Sequence, residues 1–124
     1  MSDSIHGKRH TIALTFGYGH TDWKAREFFI RHLAQSVSES FGGFRFTTGT
    51  GFWREDGNGN APHTGELFEE ETVTLHVTVT GDVESAVSIL RAAAVEAKQK
   101  TSGDVPMEWV NVEVTQSQAH HFEM

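Results

Sequence analysis

Residues Thr72–Thr80 read TVTLHVTVT. Val73, Leu75, Val77 and Val79 alternate with Thr72, Thr74, His76, Thr78 and Thr80, and a period of two gives an extended strand one apolar and one polar face. Directly after it, Gly81-Asp82 opens a different pattern. Val83, Ala86, Val87, Leu90, Ala93, Ala94 and Ala97 recur at three- and four-residue steps, the apolar stripe of a helix. Asp82 is placed to cap its start by accepting a free backbone N–H. Lys98 and Lys100 suit the negative end of its dipole. The alanines keep the stripe thin, so the helix can lie close against a sheet.

The same alternation of elements occurs in the first half. Thr11–Phe16 (TIALTF) has Ile12, Leu14 and Phe16 on one side and Thr11, Ala13 and Thr15 on the other. Gly17-Tyr18-Gly19-His20 ends this strand, and Thr21 or Asp22 can cap a helix over Trp23–Ser40. Its apolar face is Ala25, Phe28, Phe29, Leu33, Val37 and Phe41, with His32 and Ser36 among them. Gly42-Gly43 is expected to stop it in a left-handed cap. Phe44–Trp53 (FRFTTGTGFW) starts as an alternating strand with Phe44 and Phe46 together; Gly49 and Gly51 then point to a bulge or a close approach. Arg54–Leu67 is turn chemistry, Thr101–Pro106 a loop, and Trp109–Thr115 a last strand with Val110, Val112 and Val114 inward.

The order is β-α-β-β-α-β. Two split βαβ units of this size predict an α+β ferredoxin-like sandwich, a four-stranded antiparallel sheet with both helices on one face. The opposite face would carry Thr11, Thr15, Arg45, Thr47, Thr72, His76, Thr78, Asn111 and Glu113, a semi-polar surface suited to a homo-oligomer interface. With 124 residues the chain makes a single domain, 1–124, and residues 1–9 and 117–124 read as flexible tails.

Composition removes several classes. Cysteine is absent, which excludes disulfides, thiolate metal sites and a cysteine nucleophile. No apolar run reaches the roughly 18 residues of a membrane span. Met1–His10 lacks the apolar stretch of a secretory signal, so a cytoplasmic protein without membrane contact is expected. Net charge is −7, with residues 1–54 at +3 and residues 55–124 at −10. No basic stripe marks a nucleic-acid binder. Lys24, Arg26 and Arg31 share one helix and read as a solvated face.

Connectivity puts the turn Gly17–Asp22, the hairpin Arg54–Glu66 and the loop Thr101–Pro106 at one end of the sheet. Seven of the twelve glycines lie between Gly42 and Gly65, and a loop of this length is often functional. The candidate ligand-binding residues are therefore Tyr18, His20, Trp23, Thr48, Thr50, Trp53, Arg54, His63 and Glu66. Trp53, Trp23 or Tyr18 would stack on a flat ligand, Arg54 would meet an anion, and Thr48, Thr50 and His63 would hydrogen-bond.

Other motifs weigh less. Gly17-x-Gly19 lacks the third glycine of a dinucleotide fingerprint, because Asp22 stands there and opposes an anion. Asp56-Gly-Asn58-Gly-Asn60 begins like a calcium loop, yet Ala61 and Leu67 occupy the positions of its glycine and its bidentate Glu. The histidines have no metal-ligand spacing; His20, His63 and Glu66 would be a chemically sensible zinc set only if folding joined them. No metal or cofactor is implied. Glu69-Glu70-Glu71 reads as a charged, solvated edge.

Phe41-Gly-Gly-Phe44, Thr48-Gly-x-Gly-x-Trp53-Arg54 and Gly65-Glu66 before a Val/Thr strand form a pattern, GGF–T–GxGxW–GE. It resembles small uncharacterised phage and bacterial proteins. The resemblance covers roughly residues 37–80, implies a ferredoxin-like domain of phage type, and carries over no catalytic residues. The long hairpin also resembles that of small PII-type signalling proteins in architecture.

Three functions follow as expectations. The first is a non-catalytic, homo-oligomeric protein that holds a polar or nucleotide-like ligand at the glycine-rich loop end, as a phage accessory protein. The second is a protein-interaction or inhibitor module whose acidic half meets a host protein. The third is a cofactor-free enzyme of the dimeric α+β-barrel kind, with His32 or His76 as general base.

Overall fold

The computed structural model describes residues 4–19, 22–57, 59, 62–101 and 110–124. The element order is β1 (Ser4–Gly19), α1 (Trp23–Ser38), β2 (Phe44–Arg54), β3 (Leu67–Val79), α2 (Val83–Lys100) and β4 (Val110–His121). The strands form one antiparallel sheet in the order β2-β3-β1-β4, which is the ferredoxin-like topology.

Both central strands keep strict alternation. Ile12, Leu14, Phe16 and Tyr18 of β1 and Val73, Leu75, Val77 and Val79 of β3 are buried. They meet Phe29, Leu33 and Val37 from α1 and Ala86, Leu90, Ala93 and Ala97 from α2. Phe16 and Phe29 touch edge to face, ring centres 5.3 Å apart. Each fully buried Leu, Val or Phe of this layer contributes about 1.5–3 kcal/mol by leaving water. Asp22 caps α1 by accepting from the Lys24 amide, and Asp82 caps α2 by accepting from the Glu84 amide.

Several boundaries differ from the sequence reading. β1 begins at Ser4 and β4 runs to His121, so residues 4–9 and 117–121, expected as tails, belong to paired strands. Backbone pairing holds them together, and it requires no apolar alternation. β3 begins at Leu67, which places Glu69, Glu70 and Glu71 inside a strand. α1 ends at Ser38 without a left-handed glycine; the Ser40 and Phe41 amides turn back to the Val37 carbonyl instead. β2 carries no bulge at Gly49 or Gly51: pairing with Thr72 and Glu70 is continuous, and Thr72 packs against Gly51, where a methyl would sit 3.1 Å from its Cγ2. The shift in register falls in β1, between Gly17 and Gly19. Val112 and Val114 do share the helix-side face with Leu14 and Ile12, but they lie on the edge strand beyond the helices and are exposed.

The face away from the helices is polar. The Thr15 and Thr74 hydroxyls lie 2.9 Å apart, and His76 Nε2 lies 2.9 Å from the Thr47 hydroxyl. Burial, and then the Arg45 charge beside it, hold the His76 imidazole below its ordinary value of 6.5. The folded chain therefore favours neutral His76, and this contribution is present above about 6.5 and lost as pH falls through the lowered folded value. Between about pH 7.5 and about pH 5.5 the melting temperature of the wild type should fall more than that of His76→Gln. Equal falls in thermal unfolding would contradict this account.

Candidate functional site

β1 stops at Gly19, opposite Glu71, while β2 and β3 continue for four more pairs, from Gly51↔Glu70 to Arg54↔Leu67. At about 3.3 Å per residue the two-stranded arm reaches roughly 13 Å past the sheet. Where the arm leaves the body, the first turns of α1 border β2 and β3. A cleft of about 660 Å³ opens there, lined by Tyr18, Trp23, Arg26, Glu27, Ile30, Thr48, Gly49, Thr50, Glu71 and Thr72.

Local rules place each group. Trp23, Arg26, Glu27 and Ile30 stand three and four residues apart, on one face of α1. Thr48 and Thr50 share a face of β2, and Thr50 pairs with Glu71. The Arg26 guanidinium forms an ion pair with Glu71 and sits 5.5 Å from the centre of the Tyr18 ring. Burial pushes the Tyr18 hydroxyl well up, against the opposing pull of the Arg26 charge, so the phenol stays protonated. Trp23 is 63% exposed, with Lys24 Nζ 5.9 Å from its ring centre. The cleft therefore offers a flat aromatic surface, one cation, carboxylates and threonine hydroxyls.

Of the residues expected at the site, Tyr18, Trp23, Thr48 and Thr50 are brought together here. His20 lies outside the described residues. Trp53, Arg54, His63 and Glu66 are not part of the cleft. Trp53 points to the other face of β2 and stacks on Phe68, ring centres 4.5 Å apart. Arg54 donates to the Gly65 carbonyl at 2.7 Å, and the Glu66 carbonyl accepts from the Glu55 amide. His63 faces Asp56 at 3.3 Å and the Gly59 carbonyl at 2.6 Å. Arg26, Glu27, Ile30, Gly49, Glu71 and Thr72 complete the lining and were not among the expected residues. The three-residue step from Trp23 to Arg26 was the available signal for α1; Glu71 needed the strand register.

The hairpin loop is strapped by its own residues. Asp56 Oδ2 accepts from the Thr64 and Gly65 amides at 2.9 and 3.0 Å. The Gly65 amide, together with the other donors around it, holds the Asp56 carboxyl below the usual carboxylate range. A side chain at Gly65 would come within 2.8 Å of Asp56 Oδ1 and push that carboxylate aside, and Gly57 has φ +88°, a conformation that favours glycine.

The histidines of the enzymatic reading lie elsewhere. His32 borders a polar groove of about 290 Å³ between the helices, with Glu39, Glu96 and Lys100, and its ring packs on Phe28 at 4.3 Å. His76 is on the opposite face of the sheet. Among the described residues no His, Asp and Glu side chains group to hold a metal ion, and no helix is long and apolar enough to cross a membrane.

No protein-family model matches the chain, and no curated protein sequence matches it. Solved structures do share its fold. A phage SAM lyase in the apo state superposes with a TM-score of 0.62 at 13% identity, covering 99% of this chain and 96% of that one. A phage SAM lyase in complex with S-methyl-5'-thioadenosine gives 0.59 at 13% identity, with coverage of 97% and 94%. CutA from Synechococcus elongatus gives 0.43 at 13% identity, with coverage of 94% and 85%.

Replacing Asp56 by Ala removes the acceptor that closes the hairpin loop. Limited proteolysis should then cut between residues 54 and 66 several-fold faster, with the far-ultraviolet spectrum unchanged. An unchanged cutting rate would show that Asp56 does not hold the loop.

Proposed function

We propose that the chain is a self-associating protein that binds a small nucleoside-like molecule in the cleft between α1 and β2. The carrying observation is one group of side chains: exposed Trp23 beside the Arg26–Glu71 ion pair, with Thr48 and Thr50 across the opening. The cleft volume of about 660 Å³ falls within the range of small-molecule sites. Trp23 supplies a stacking surface for a base, worth about 1–3 kcal/mol for such contacts. Arg26 meets an anionic or carboxylate group, Glu71 a cationic one, and the threonine hydroxyls a ribose or a base edge. A fold shared over nearly the whole chain with a phage SAM lyase that holds S-methyl-5'-thioadenosine supports an adenosyl compound and a phage setting.

One feature favours a catalytic reading beside this one. Glu27 and Glu71 both line the cleft, each ion-paired with an arginine, Arg31 and Arg26, and a sulfonium cation such as that of S-adenosylmethionine would compete with these arginines for the carboxylates. Under that reading the chain acts as a lyase on this compound.

Calorimetric titration with methylthioadenosine, S-adenosylmethionine, ATP and ADP tests the proposal. The wild type should bind at least one of them, and Trp23→Ala should weaken it by about 10- to 100-fold. Release of methylthioadenosine from S-adenosylmethionine would move the function from binding to catalysis. Absence of binding across all four compounds would overturn the proposal.

A further inference from the structure

The sheet ends at β2 on one side and at β4 on the other. Both edge strands are long, at 11 and 12 residues, and neither contains a Pro or Lys. Unprotected edges of this kind are templates for pairing with another strand.

The registers place the two edges level with one another. Arg45, His76, Ala13 and Glu113 form a single row across the sheet, on the face away from the helices. Phe46 is level with Val112 in the row on one side, and Phe44 with Val114 in the row on the other, both on the helix-side face. Val112 and Val114 are 39% and 46% exposed, although their row neighbours Leu14 and Ile12 are fully buried. Arg45 and Glu113 are exposed, and among the described residues neither forms an ion pair with an oppositely charged side chain. One edge thus carries a cation flanked by phenylalanines, and the other carries an anion flanked by valines at the same heights.

We propose that copies of this chain associate head to tail, with β4 of one copy pairing antiparallel to β2 of the next in the register that continues these rows. β2 runs parallel to β1 and β4 antiparallel to it, so a second copy in the same orientation offers the required direction. Glu113 then faces Arg45 of the next copy. Val112 and Val114 lie against its Phe46 and Phe44, which extends the apolar layer from chain to chain and covers the valines. The contact is heterologous and closes as a ring or continues as a filament according to the rotation between copies. It also brings Val110 of one copy beside Thr48 of the next, at the rim of the ligand cleft. The interface rests on the self-association in the reading above and is independent of which ligand occupies the cleft.

Native mass spectrometry and sedimentation of the full chain test it, with thermal unfolding to verify that each variant is folded. The wild type should be oligomeric. Arg45→Glu and Glu113→Arg should each raise the dissociation constant about tenfold or more, and the double exchange should restore association. Val112→Asp, at an exposed position, should also give monomers. Single variants that stay fully associated, or a double variant that fails to recover, would overturn this interface and leave self-association standing. A monomeric wild type would overturn both.

Discussion

The pairing of the two central strands sets the geometry of everything around them. Leu14 stands opposite Leu75, and the ladder runs unbroken from His10↔Val79 to Gly17↔Thr72. A slip by one residue would turn Ile12, Leu14 and Phe16 to the solvent side and the threonines to the helices, so burial enforces the register. That register fixes which side chains share a row with the outer strands. It carries the apolar layer from Phe46 to Val112 and the polar layer from Arg45 to Glu113.

The cleft follows from how this ladder ends. β1 stops opposite Glu71, while β2 and β3 go on as a two-stranded arm, so the sheet narrows just where α1 begins. The cleft at the base of the arm lies between α1 and the sheet and takes its chemistry from both. Trp23 and Arg26 come from the helix, and Thr48, Thr50 and Glu71 from the strands. The fold shared with a phage SAM lyase places this chain in an architecture that hosts unrelated activities. The nucleoside-like ligand proposed for this chain is favoured first by the side chains of the cleft.

Elements with strong periodicity were legible in the sequence. The alternation in Thr11–Phe16 and Thr72–Thr80 and the helical stripes after Asp22 and Asp82 were enough to give the element order and the topology. Polar extensions were not, because Ser4–His10 and Gln116–His121 are held by backbone pairing and show no apolar alternation. Leu67–Glu71 was read as loop and edge for the same reason. Tyr18, Trp23, Thr48 and Thr50 were grouped from their place at one end of the sheet, and the fold brings them to one cleft. Trp53 was grouped with them although its odd position on β2 turns it away from Thr48 and Thr50. Arg54, His63 and Glu66 were grouped with them from the same loop end; they lie outside the cleft, where Arg54 and His63 side chains and the Glu66 carbonyl take part in the hairpin's own hydrogen bonds. Glu71 is the solvated charge that the sequence suggests, and its ion pair with Arg26 was not legible because the two are distant in sequence.

Amide chemical-shift mapping of the isotope-labelled chain with methylthioadenosine addresses the central claim most directly. The account places the perturbed amides on residues 23–30 of α1, 48–50 of β2 and 71–72 of β3, the segments that line the cleft. Perturbations confined to the hairpin loop between Arg54 and Leu67, or to the threonine-rich face around His76, would contradict it.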